Sequence, residues 1–211
     1  MPSSTVHAAS ASHYAHIARW YEPLLGRALA PLRQAVVDLC QRTHLATVLD
    51  ACCGTGAQCA LLHQANIACT GHDLSAPMLA VARTLVPARV TLLQGDAQVL
   101  PFAPASFDAV LFSLALHEMD PAVADAVLTE GLRVARHAII ADYRLAERNL
   151  DLPAAWFVHL PERLAGATHY RNFKAFMQRG GVEGLVHRHR LRVLHRHRLF
   201  AGAGGLLLVT R

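Results

Sequence analysis

A chain of 211 residues with 53% hydrophobic and 17% charged residues can bury a sizeable core, which excludes general disorder. No apolar run reaches the roughly 20 residues of a membrane helix, and the opening MPSSTVHAASASH lacks the pattern of a secretory signal, so a cytoplasmic protein with no transmembrane segment is expected. The formal charge of +5 is concentrated in VHRHRLRVLHRHR, residues 186–198, and permits anionic partners.

Taken in chain order, the Ala/Ser-rich residues 1–12 are expected to fray. Ser12 can cap a helix over 13–20, and Pro23 and Pro31 sit at the first positions of two further helical pieces. Leu32, Val36, Leu39 and Cys40 share a face of the last piece. These helices precede the sheet, so residues 1–44 are expected to cap its ligand edge. Residues 46–52 read as a buried strand and 56–66 as a helix, followed by a strand over 68–73. Ser75 and Pro77 start a helix that packs through Met78, Leu79, Ala82, Leu85 and Val86. Strands follow over 90–94 and 107–113, then a helix opened by Asp120-Pro121, then a strand over 138–143. Strands alternating with helices predict a doubly wound, mostly parallel sheet within a core of residues 45–145.

After Arg144 the rhythm changes. Pro153, Pro161 and Gly166 among Trp156, Phe157, Val158 and Leu160 predict the broken helices of a lid, residues 146–185. Residues 170–179 read as a short helix stopped by Gly180-Gly181. Residues 191–200 and 206–209 flank AGAGG as an antiparallel hairpin within 186–211, the final piece of a single domain.

The stretch TVLDACCGTG joins a strand ending in Asp50 to a helix through Gly54-Thr55-Gly56, a turn that lets a ligand approach the backbone. Asp73 closes the next strand about 20 residues on, the offset at which a carboxylate meets ribose hydroxyls. Gly95-Asp96-Ala97 follows the third strand. A dinucleotide site is disfavoured, because CCGTGAQ lacks the third glycine of that fingerprint. Five cysteines without paired C-x₂₋₄-C spacing read as buried thiols, and no metal ligands are assigned.

The segments VLDACCGTG, GHDLSAPMLAVAR, GDAQVLPFAPASFDAVLFSLALHEM and YAHIARWYEPLL resemble the class I S-adenosylmethionine-dependent methyltransferases, in particular the small-molecule branch with the ubiquinone/menaquinone C-methyltransferases. The family often has glycine where Cys52 stands. The resemblance implies a Rossmann-like, seven-stranded α/β sheet with an antiparallel C-terminal hairpin strand and S-adenosylmethionine as cofactor. It implies a cofactor site at Tyr21, Asp50, Ala51, Cys52, Gly54, Gly56, Asp73, Leu74, Met78, Asp96, Ala97 and Ser113. Within that site Asp73 would meet the ribose, Leu74 and Met78 the adenine face, Asp96 and the amides around Ala97 its edge, and Asp50 the amino-acid portion.

Methyl transfer from a sulfonium requires water exclusion, alignment and, for a weak nucleophile, removal of a proton. His117, in SLALHEM at the end of the fourth strand, is the candidate base, with Glu118 beside it. Tyr143, His169, Tyr170 and Arg171 are candidates for the acceptor pocket. No NPPY-like tetrapeptide follows that strand, which disfavours methylation of amino groups on bases or glutamine, and the apolar lid favours a small, partly hydrophobic acceptor. Two alternatives stand beside this reading. One is a nucleic-acid binder or RNA methyltransferase with Arg188, Arg190, Arg192, Arg196 and Arg198 on one strand face; the other is a cofactor-binding protein without transfer activity.

Overall fold

The computed structural model describes residues 3–145 and 159–211, in two compact units, Met1–Leu100 and Pro101–Arg211. The first unit contains α1 (Ser3–Arg42), β1 (Thr47–Ala51), α2 (Ala57–Gln64), β2 (Ala68–Asp73), α3 (Ala76–Leu85) and β3 (Thr91–Gln94). β2 pairs in parallel with β1 and with β3. Val48 and Leu49 are fully buried in β1, and Leu32, Val36, Leu39 and Cys40 of α1 are buried as their spacing predicts. Ser75 caps α3 by accepting from the Met78 amide. Leu85, expected on the packing face of α3, is exposed at its last turn.

The N-terminal region is one helix, not three pieces, with Pro23 and Pro31 inside it. An interior proline removes a hydrogen bond and costs about 3 kcal/mol. Across this interruption Arg33 donates two hydrogen bonds to Glu22, at 2.7 and 2.8 Å. In a straight helix those residues stand about 16.5 Å apart along the axis, beyond the combined reach of their side chains. The helix therefore bends between them, at its prolines. A Cβ on Gly26 would lie 3.0 Å from Glu22 Oε2, so the absent side chain leaves room for the ion pair.

The second unit contains β4 (Phe107–Ser113), a 3₁₀ turn at Leu116–Glu118, α4 (Pro121–Val134), β5 (Ala135–Tyr143), α5 (His159–Leu164), α6 (Ala167–Gln178), α7 (Gly181–Arg188), β6 (Arg192–Leu199) and β7 (Gly204–Thr210). β4 and β5 are parallel, whereas β7 runs antiparallel to both β5 and β6, as the glycine-rich hairpin predicts. The strand order is β3-β2-β1-β4-β5-β7-β6, a seven-stranded, mostly parallel sheet with antiparallel C-terminal strands. Asp120 caps α4 by accepting from the Ala122 amide, with Pro121 at the first helical position. Trp156, Phe157 and Val158, which suggested a lid, lie outside the described residues. Among the described residues no helix is long and apolar enough to cross a membrane.

The basic stretch departs from its expected geometry. Arg188 belongs to α7, which resumes after Gly180 in a left-handed conformation, and Arg190 turns the chain at φ 53°. A bulge between Val193 and His195 then shifts the register of β6. Arg192 stands opposite Thr210, but Arg196 stands opposite Leu207 and Arg198 opposite Gly205. Odd and even positions of β7 face opposite ways, so Arg192 is on the other face from Arg196 and Arg198. The five arginines do not form one stripe.

β1 also ends one residue early. Cys52 adopts φ 74°, and the Cys52 and Cys53 amides both donate to the His72 carbonyl, at 2.7 and 3.0 Å. The two cysteines are thus not neighbours on opposite faces of a strand. A left-handed conformation costs a side-chain-bearing residue roughly 1–2 kcal/mol, most severely when it is β-branched. Cys52→Gly is therefore expected to melt at a higher temperature than Cys52→Val, by several degrees in thermal denaturation. Equal melting temperatures would mean that the turn does not hold this conformation.

Candidate functional site

Two groups of side chains gather the residues singled out in the sequence, one in each unit. In the first unit Asp73, at the end of β2, accepts from the Gly54 amide at 2.8 Å through one oxygen and from the Ser75 amide at 2.8 Å through the other. The Leu74 amide also bonds to this carboxylate, which thus ties the glycine turn to the start of α3. Burial pushes its pKa up. Gly54 has φ 53° and nothing within 4 Å of the place a Cβ would occupy, so its backbone faces open space. Gly56 differs. A Cβ there would lie 2.9 Å from both Ala82 and Val86, so this glycine serves the close packing of α2 on α3.

The same turn is held from α1. Thr55 donates its hydroxyl to Glu22 Oε1 at 2.6 Å, and Gln58 donates to the Arg33 carbonyl at 3.3 Å. Burial alone would raise the Glu22 carboxyl, but the bonds from Arg33 and Thr55 hold it below its ordinary value. The N-terminal helix reaches the glycine turn through Glu22 and Thr55, two residues the sequence reading passed over. Tyr21, beside Glu22, is half-buried.

Asp50 is fully enclosed at the end of β1. One oxygen accepts from the Cys59 thiol at 3.5 Å, and the other has no hydrogen-bond partner. Ala51 is buried next to it. Burial pushes the Asp50 carboxyl up to about 7. Leu74 is exposed and available to a ligand, whereas Met78 is buried on the packing face of α3. Asp96 folds onto Gln98, accepting from its amide at 2.9 Å and its side chain at 3.0 Å, with Ala97 buried beside it.

In the second unit His117 lies in the 3₁₀ turn after β4, 2% exposed. Its Nδ1 meets Asp142 Oδ1 at 2.6 Å, so Asp142, and not the adjacent Glu118, orients the ring. Asp142 also accepts from the amides of Leu116, His117 and Tyr143. On the other side of the ring, Nε2 lies 3.4 Å from Glu162 Oε2 of α5. Glu162 further accepts from His169 Nε2 of α6 and from the Tyr143 hydroxyl, the latter at 2.7 Å. Tyr143 and Phe173 pack edge-on against the His117 ring.

Burial opposes a charged His117, but the two carboxylates outweigh it and raise its pKa well above the ordinary value. Burial would likewise raise Glu162, yet the bonds from His117 and His169 hold it well below the usual carboxylate range. Burial beside Glu162 raises the Tyr143 phenol. The structure thus brings His117, Tyr143 and His169 together. Tyr170 stacks on Phe173 and meets His159 at 3.3 Å, Arg171 is exposed on α6, and Ser113 is half-buried at the end of β4. Sequence reasoning missed Asp142 and Glu162. Asp142 carries a signal in its strand-end position; Glu162 carries none, since nothing in the spacing brings α5 against the end of β4.

A proton held by Asp50 in the folded state but lost on unfolding makes stability pH-dependent. Below about pH 4 both states are protonated and the full contribution is present. As pH rises toward about 7 the unfolded carboxyl ionises first and stability falls, at about 1.4 kcal/mol per pH unit at most. Thermal melts between pH 4 and 8 are expected to show this slope in the wild type and to lose it in Asp50→Asn. A difference between the two proteins that is flat in pH would mean Asp50 is ionised throughout.

A family described as "Methyltransferase domain" matches residues 48–138. An uncharacterised methyltransferase of Synechocystis is 37% identical over 114 residues, 54% of this chain and 51% of that protein. A demethylmenaquinone methyltransferase of Beutenbergia cavernae is 38% identical over 104 residues, 49% of this chain and 42% of that one. The chain thus spans about half or less of the length of these curated relatives. Among solved structures, an O-methyltransferase family protein from Burkholderia thailandensis superposes with TM-score 0.70 at 18% identity, covering 92% of this chain and 59% of that one. Magnesium protoporphyrin IX methyltransferase from Synechocystis, with bound SAH, superposes with TM-score 0.61 at 20% identity, covering 86% and 82%. The fold is shared with both, and residues 48–138 of this chain match the methyltransferase-domain family.

Proposed function

We propose that this protein transfers a methyl group from S-adenosylmethionine to a small, partly hydrophobic acceptor. The observation that carries the reading is the Gly54 turn, with left-handed backbone, open space where a side chain would stand and an amide pinned by Asp73. The unpartnered oxygen of buried Asp50 fits the same ligand, because a cationic amino group beside it would satisfy the orphaned acceptor and favour its ionised form. The Asp73 carboxylate would take the ribose hydroxyls, and exposed Leu74 would cover the adenine. The bound cofactor supplies an activated methyl group. Quinone-type acceptors are favoured by the relatives named demethylmenaquinone methyltransferase and 2-phytyl-1,4-naphtoquinone methyltransferase.

In the second unit the group around His117 is assigned to the acceptor. His117 is too enclosed to act as a free base, so a proton taken from the acceptor would enter through His169 and Glu162, with His117 and Asp142 stabilising the charge. His169 is the more open imidazole, with 14% of its side chain exposed.

Isothermal titration with S-adenosylmethionine and S-adenosylhomocysteine tests the cofactor assignment, and absence of binding by both at millimolar concentration would overturn it. Asp73→Ala is expected to weaken binding by about 1.5–3 kcal/mol for each lost bond to a charged acceptor. Unchanged affinity would move the ribose elsewhere.

His117→Ala is expected to lower turnover by about 10²–10³-fold, the cost of losing one electrostatic stabiliser, with cofactor affinity nearly unchanged. A folded variant that melts earlier but retains its single-turnover rate would make His117 purely structural.

A further inference from the structure

We propose that His117, Glu162 and His169 form a binding site for one divalent transition-metal ion of the zinc type. One potential ligand atom from each of the three lies within 4.8 Å of the others, with His117 and Glu162 buried and His169 half-buried. Zinc holds nitrogen and oxygen donors at about 2.0–2.2 Å in a tetrahedron, which separates neighbouring donors by about 3.3 Å. His117 Nε2 already stands 3.4 Å from Glu162 Oε2. The contact from His169 Nε2 to the same oxygen is shorter, and a small rotation of this half-buried side chain would open it. The two imidazole rings are inclined at 77°, so their donor nitrogens can converge from different directions.

The surroundings match what a metal centre needs beyond its direct ligands. A ligating histidine is normally fixed through its other nitrogen by a carboxylate, and a ligating carboxylate is itself hydrogen-bonded. Here Asp142 holds His117 Nδ1 at 2.6 Å and the Tyr143 hydroxyl donates to Glu162 Oε1 at 2.7 Å. Asp142 is held in turn by three backbone amides, so the first imidazole has a rigid seat. Charge agrees as well. Ligation requires both imidazoles neutral, and the two buried carboxylates then carry −2, so a dication makes the loaded group neutral, where burial penalises net charge. On loading, the hydrogen on His117 Nε2 leaves to solvent and its Nδ1–H stays on Asp142. His169 releases its Nε2 hydrogen or carries it on Nδ1. Three protein donors leave a fourth position for water or an acceptor oxygen, the pattern of catalytic rather than structural zinc. The site rests on the methyl-transfer reading only for its use: with the ion bound to His117, Glu162 and His169, it would lower the pKa of an acceptor hydroxyl at the fourth position, whose proton would leave to solvent in place of the route through His169 and Glu162.

Binding is tested on the full chain without cofactor, by titration with Zn²⁺ and by elemental analysis after dialysis. One ion per chain is expected at micromolar affinity or better. His169→Ala, at a half-buried position, should fold and lose more than about 100-fold in affinity, beyond the usual cost of an outer partner. Tyr143→Phe should lose about 10-fold. Exposed histidines are a competing source of zinc binding, so His195→Ala/His197→Ala should leave the tight site intact. Retention of the ion by folded His169→Ala, loss of it in the His195/His197 double variant, or no binding at all would each overturn the proposal. Because cofactor titration reads the Gly54 turn separately, failure here would leave the methyl-transfer reading standing, and the converse also holds.

Discussion

The second unit depends on one buried carboxylate. Asp142 has no solvent exposure, yet its two oxygens receive four hydrogen bonds, from three backbone amides and one imidazole. An isolated buried charge would be prohibitive; a charge met by four donors is not. Two of the amides belong to the 3₁₀ turn after β4, so the carboxylate fixes that backbone as well as the ring of His117. Removal of one partner from such a buried pair typically costs about 3–5 kcal/mol, because the other is left uncompensated. The position of His117, and through it of Glu162, His169 and Tyr143, follows from Asp142.

Asp73 plays a comparable part in the first unit. It receives three amides, from Gly54 of the glycine turn and from Leu74 and Ser75 at the start of α3. Each unit therefore uses an aspartate at the end of a strand to fix the loop of a neighbouring element, and fixes it before any ligand arrives. Preorganisation of this kind lowers the ordering entropy that binding must overcome.

Most of this fold was legible in the sequence because its signals are local. Alternating strand and helix patterns, Ser75 and Asp120 as caps, and the glycine turn after Asp50 each involve a few adjacent residues, and β2 and β4 fall where the pattern puts them. What was not legible depends on distant partners. Two prolines argued for three N-terminal helices, but an ion pair spanning eleven residues holds a single bent one together. Glu162 enters the His117 group from α5, 45 positions along the chain, and no period or spacing announces that. Asp50, Asp73 and Asp96 were visible at their strand ends, but their present partners were not. Nor was the difference between Gly54, open to a ligand, and Gly56, required by helix packing.

The bulge in β6 gives the basic segment a different meaning. Among the described residues β6 is the last strand of the sheet, and one side of its backbone carries no strand partner there. An exposed edge of this kind is a template on which another chain can add a strand and start aggregation. β6 breaks its register after Val193 and exposes Arg192, His195, Arg196 and His197 along its length. A second copy approaching that edge would meet Arg192 and Arg196 in the same irregular spacing, and repulsion between guanidinium groups would act before hydrogen bonds could form. The charges that resemble a nucleic-acid stripe in the sequence thus keep the open border of the sheet from recruiting its own kind.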